Sequence, residues 1–176
     1  SNNNIVSGNN SKGNSFAGIS VANASNNTLT GNTCQGNVLD GIYIFSSFGN
    51  TVVGNKIDDN GGANSYDGIV LDISDANLLS SNDITDIAGT GYSINIKNLV
   101  CDSNYLVGNR YSGTGASSIQ DLGTGTIYGG QSFGTATSAD LILKPLGGVG
   151  IGTTTPQGLF DVGGGTLVVR NGKVLI

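Results

Sequence analysis

The chain has 176 residues, a formal net charge of −5, 30 glycines, and no His, Met or Trp; all twelve acidic residues are Asp. Sparse, acidic charge excludes the clustered Lys and Arg that nucleic acid requires, and no apolar run reaches the ~18 residues of a membrane span. Gly and Asn (22 residues) suit turns and left-handed backbone rather than helices. The absence of an initiating Met and of a signal peptide reads as a fragment or processed product.

From the N-terminus, one six-residue template recurs: Asn, any, apolar, any, small, Asn. It reads NIVSGN from Asn4, NTLTGN from Asn27 and NTVVGN from Asn50, and begins again at Asn77 and Asn104. The steps are 23, 23, 27 and 27 residues. A second marker, Gly before Ile or Tyr, falls at Gly18, Gly41, Gly68 and Gly91, and its spacing places a four-residue insertion in 55–68 and another in 91–104. A fixed period of this size marks a repeat architecture.

Within each repeat the apolar period is two. Ile19 and Val21, Ile42 and Ile44, Ile69, Leu71 and Ile73, and Ile94 and Ile96 alternate with outward residues, as in a strand with one buried face. Val6, Leu29, Val52, Leu79 and Leu106 add one inward residue per template, and Ser11, Cys34, Ile57, Ile84 and Tyr111 a second. Each coil of ~23 residues then holds three short strands that bury their inner face only by stacking at about 4.8 Å. Stacking predicts asparagine ladders at the corners: Asn4, Asn27, Asn50, Asn77 and Asn104 in one column; Asn9, Asn32, Asn55, Asn82 and Asn109 in the other. With register held in several columns at once, residues 1–111 resemble right-handed parallel β-helix proteins of the pectate-lyase-like kind, all-β, with about five coils.

Residues 112–140 read as a Gly/Ser/Thr-rich transition and 141–176 as a C-terminal region of short strands. There the stretch GVGIGTTTPQGLFDV, from Gly148 to Val162, resembles a segment common in phage tail fibres, tailspikes and bacterial surface fibres, often upstream of an endosialidase-type self-cleaving chaperone domain. That resemblance implies a homotrimer. The GxGxG spacing of Gly148, Gly150 and Gly152 precedes no helical pattern, so no nucleotide site is expected.

Candidate chemistry is thin. Asp40 and Asp67 precede the marker Gly in adjacent coils, which puts two carboxyls about one inter-strand distance apart, near the spacing of retaining glycosidases. Ordinary Asp-Gly turn chemistry is the better explanation of them, and no cofactor is required. Asp59 and Asp86 align and offer hard oxygens for Ca²⁺. Lys56, Asp83 and Arg110 form a column of alternating sign, a surface ladder. Cys34 and Cys101, in non-adjacent repeats, read as small buried residues rather than a disulfide.

Contact surfaces are expected at outward Tyr43 and Phe45, next to Val70 of the following coil, for packing between protomers first and sugar stacking second, and at the 55–68 insertion carrying Tyr66; Asp72 is a further binding candidate. Tyr66 either reaches a glycan or stacks on the column of Phe16 and Leu39. The first functional reading is the receptor-binding part of a trimeric extracellular or virion fibre that meets cell-surface polysaccharide. The alternatives are a polysaccharide lyase, hydrolase or epimerase, and a self-assembling filament.

Overall fold

The computed structural model describes residues 1–62, 66–85, 91–112 and 119–129 in full, and the backbone of 132–133, 149–151 and 160–162. It is a parallel β-helix with three walls. The first wall stacks Ile5–Ser7, Thr28–Thr30, Thr51–Val53, Leu78–Ser80, Tyr105–Val107 and Ile127–Gly129. The second stacks Asn10–Lys12, Thr33–Gln35, Lys56–Asp58, Asp83–Thr85, Arg110–Ser112 and Ser132–Phe133. The third stacks Ile19–Ala22, Ile42–Phe45, Ile69–Asp72, Ile94–Ile96 and Ile119–Asp121. Every pairing is parallel, and among the described residues no helix is long and apolar enough to cross a membrane.

The inward alternation fills one continuous core. Leu29, Val52, Leu79 and Leu106 from the first wall meet Cys34, Ile57, Ile84 and Tyr111 from the second, and Ile42, Ile44, Ile69, Leu71, Ile94 and Ile96 from the third, all at 0% exposure. Outward, the walls differ. The first carries no charged side chain on its strands, whereas the second carries Lys12, Lys56, Asp58, Asp83 and Arg110. In the expected column, Arg110 donates to both oxygens of Asp83 at 3.1 and 2.6 Å, while Lys56 pairs with Asp58 at 3.9 Å.

The six-residue template has a backbone cause. The residue before each ladder Asn turns the corner with positive φ, as at Gly8, Gly31, Gly54, Ser81 and Gly108, which is why that position is small. The next Asn then meets its equivalent one coil on. The Asn27 backbone N–H and Nδ2 both donate to Asn50 Oδ1, at 2.9 and 3.0 Å, and Asn50 does the same to Asn77 at 2.9 and 3.0 Å. Nδ2 also reaches a carbonyl of the preceding coil, as in Asn55 to Leu29 O at 3.0 Å. Both expected ladders are present, and a third runs through Asn14, Asn37 and Asn60.

Four expectations are corrected. Ile73 does not continue the inward alternation: the strand ends at Asp72, and Ile73 turns the corner with φ 50° and is 47% exposed. Gly91-Tyr92 is not the fourth marker: Gly68 N donates to Tyr92 O and Ile69 N to Ser93 O, so Ser93 occupies the marker column. Ile94 and Ile96 need that register to face inward opposite Ile69 and Leu71. The second insertion therefore divides around Ser93, part before it and part in the Asn98–Val100 turn. The expected end of the helix at residue 111 also moves, because strands at 119–121, 127–129 and 132–133 extend all three walls. Gly at 18 and 41 has a packing cause: a Cβ on Gly41 would lie 2.5 Å from Ile57 Cγ2 and 2.6 Å from Gly68 O.

Residues Leu143–Ile176 form a separate compact unit, in which Val149–Ile151 pairs in parallel with Phe160–Val162. The TTTP part of the fibre-like segment lies outside the described residues.

The ladders define two stability tests. Asn77→Leu strands the buried N–H groups of Asn50, and chemical denaturation should show a loss of about 4 kcal/mol, at about 1–3 kcal/mol per orphaned group. In the first column Thr126 replaces Asn, and its buried Oγ1 has no partner. Thr126→Asn should continue the ladder and raise stability by about 1 kcal/mol, read from the shift in denaturation midpoint.

Candidate functional site: the outer face of the third wall

The third wall brings together most of the residues singled out in the sequence. Tyr43 pairs across to Val70, and Val70 to Asn95; Phe45 pairs to Asp72. Alternation along Ile42–Phe45 turns Tyr43 and Phe45 outward, half-buried, with ring centroids 6.2 Å apart and planes within 10°. They form one stacked aromatic strip. The Tyr43 hydroxyl donates to Asp72 Oδ2 at 3.0 Å, and Asn98 Nδ2 donates to Asp72 Oδ1 at 2.7 Å. Burial and the Asp72 hydrogen bond push the Tyr43 hydroxyl up to about 12, so it remains a donor.

Two residues before the strands, Asp40 and Asp67 stack as expected and are nearly enclosed, at 6% and 4% exposure. Asp40 Oδ1 accepts from Asp67 N at 2.8 Å. Asp67 Oδ1 accepts from Tyr92 N at 2.7 Å, and its Oδ2 from Asn95 Nδ2 at 2.8 Å. Burial raises both carboxyls above the ordinary aspartate range, opposed by these hydrogen bonds and by the charge of Lys97; the charge of Asp67 raises Asp40 further. Asn95 Oδ1 is buried without a partner. Lys97 was not singled out in the sequence; its Nζ lies 5.7 Å from the centre of the Tyr43 ring.

The other candidates do not join this group. Tyr66 is half-buried two residues before Gly68. Asp59 turns a corner at φ 49° and donates its N–H to Thr85 O, while Asp86 lies outside the described residues. Among the described residues no group of three or more His, Cys, Asp and Glu is placed to hold a metal. The two thiols are free and buried, as expected. Cys34 is pushed up to about 12 by burial, and Cys101 Sγ accepts from Ser74 N at 3.4 Å, in place of the hydroxyls that Ser47 and Ser74 offer to the coils before them.

This fold and its ladders define a repeat protein of the parallel β-helix class. The chain belongs to the family described as periplasmic copper-binding protein (NosD), which matches residues 1–125. Among solved structures, the mannuronan C-5 epimerase AlgE6 A-module of Azotobacter vinelandii is similar at TM-score 0.61 and 20% identity, over 74% of this chain and 39% of that one. The periplasmic alginate epimerase AlgG is similar at TM-score 0.53 and 20% identity, over 72% of this chain and 39% of its own. The chain thus spans about two fifths of either epimerase, and at this identity the likeness is one of fold. No curated protein matches it.

The copper in the family description does not fit the residues present. Copper favours Cys, His and Met. This chain has no His or Met, and its two thiols are buried apart, Cys34 on the second wall and Cys101 at a corner, with their protons held tightly.

The buried Asp pair sets a pH dependence. Below the ordinary aspartate range both folded and unfolded chains are protonated. As pH rises through that range the unfolded chain ionises first, so stability falls until the raised folded values are passed. Asp40→Asn keeps the acceptor for Asp67 N but removes the charge. Thermal unfolding from pH 3 to 8 should show a variant more stable than the parent at neutral pH, with the difference shrinking toward pH 3.

Proposed function

We propose that the chain is the polysaccharide-binding part of a carbohydrate-active β-helix that works in the periplasm or outside the cell, and that the polymer lies on the third wall. The observation that carries this is the stacked, outward Tyr43–Phe45 pair, edged by the polar groups of Asp72, Lys97 and Asn98. A pyranose presents a C–H face to such rings while its hydroxyls reach the polar rim, the usual composition of a ligand surface.

The comparisons support this reading over the fibre. Both epimerases carry the same fold and are named for mannuronan and alginate, and the family description and AlgG are both periplasmic. None of the comparisons points to a virion fibre or a trimer. We place binding rather than bond-making on these residues, because both oxygens of Asp67 and one of Asp40 are held by the scaffold.

Isothermal titration against alginate, dextran sulfate and dextran tests it. The chain should bind at least one of them, and the double variant Tyr43→Ala, Phe45→Ala should weaken that binding about tenfold or more, as loss of an aromatic platform does. No binding to any of the three would remove the reading.

A further inference from the structure

Lys97 is held in an unusual way for a surface lysine. Its backbone N–H donates to Leu71 O at 2.9 Å, which seats it beside Asp72 on the neighbouring coil. The nearest carboxylate in register is therefore Asp72, and a surface pair would be expected there. Instead the oxygens of Asp72 are taken by the Tyr43 hydroxyl and by Asn98 Nδ2. Lys97 reaches past that coil, to the Tyr43 ring at 5.7 Å.

The ion pairs among the described residues, Lys56 with Asp58 and Arg110 with Asp83, both lie on the second wall. Lys97 is the one cation of the third wall among the described residues, and it is exposed. A contact with a ring face uses none of the three N–H donors of an ammonium. The carboxylates around it are engaged by the scaffold: Asp67 by Tyr92 N and Asn95, Asp72 by Tyr43 and Asn98, and one oxygen of Asp40 by Asp67 N. Although the charge of Lys97 acts on Asp40 and Asp67, it forms no ion pair with them. Lys97 is thus a positive charge anchored at the aromatic strip, with its hydrogen-bonding capacity directed at whatever lies on that strip.

We propose that Lys97 receives an anionic group carried by the polysaccharide, so that the third wall selects acidic sugars over neutral ones. This rests on the polysaccharide reading above. A carboxylate or a sulfate on the bound sugar meets the same requirement: oxygen acceptors within reach of the ammonium while the ring face of the same sugar covers Tyr43. Charge-assisted hydrogen bonds of this kind separate charged from neutral ligands strongly.

The test uses the whole chain, titrated with alginate, dextran sulfate and dextran at low and raised salt. The expected result is that a charged polymer binds about tenfold or more tighter than dextran, that Lys97→Met removes most of that preference, and that Lys97→Arg keeps it. The salt dependence of the Lys97→Met variant should also be shallower. Alginate as the preferred polymer identifies a carboxylate, and dextran sulfate a sulfate. Lys97→Gln, with thermal unfolding, controls for folding; only a small drop in midpoint is expected, because the exposed Lys97 charge also favours the ionised forms of Asp40 and Asp67. Equal binding of dextran and the charged polymers, or an unchanged preference in Lys97→Met and Lys97→Gln, overturns the proposal while leaving the polysaccharide reading intact. Absence of binding to all three polymers sinks that reading as well.

Discussion

One carboxamide oxygen per corner, taking two N–H groups from the coil before it, is the interaction on which the structure depends. A parallel β-helix must turn its backbone at each corner, where sheet hydrogen bonding is interrupted and the peptide groups are enclosed. Buried polar groups left unpaired there would cost more than the short strands return. The Asn side chain resolves this because it carries an acceptor and donors on one short stem. Backbone N–H and Nδ2 of Asn27 meet Asn50 Oδ1, and a second hydrogen of the amide can return to the coil behind, as in Asn55 to Leu29 O. Ser and Cys do related work at the third corner, where Ser47, Ser74 and Cys101 each accept a backbone N–H from the preceding coil.

With the corners satisfied, the outer faces are free to differ. The first wall carries no charge on its strands, the second carries two ion pairs, and the third gathers aromatics, buried carboxyls and a lysine outside any ion pair. This division of labour explains how a single scaffold serves unrelated chemistries. It also explains why a family description naming copper and structural neighbours named as epimerases share one architecture. Ligand chemistry sits on outward positions that the stack does not constrain. In this chain those positions supply oxygen, aromatic and ammonium groups, and offer a soft metal nothing accessible.

Much of the scaffold was legible in the sequence because stacking imposes the same residue at the same place. The template, the inward columns and two Asn ladders follow from counting. The third ladder was equally legible, since Asn14, Asn37 and Asn60 each fall five residues after a template's closing Asn. The fourth marker was misread because Gly91 has the right chemistry at the wrong register. Only the inward facing of Ile94 and Ile96 against the preceding strand selects Ser93. The strands beyond residue 111 were hidden by Gly-, Ser- and Thr-rich spacing that breaks the period. At the site, Tyr43, Phe45 and Asp72 were visible through alternation. Lys97 was not, because its side chain passes over its register neighbour to a ring two coils away, a choice made by side-chain competition for Asp72.

The ladders have a direction. In each, the oxygen points toward the earlier coil and one amide hydrogen toward the later, so the carboxamide dipoles of a column are aligned head to tail along the axis. Aligned dipoles polarise one another. Each Asn column is therefore electrically polar along the stack. Two coils with the same sequence are consequently not equivalent neighbours, and a coil inverted end for end would place oxygen against oxygen at every corner.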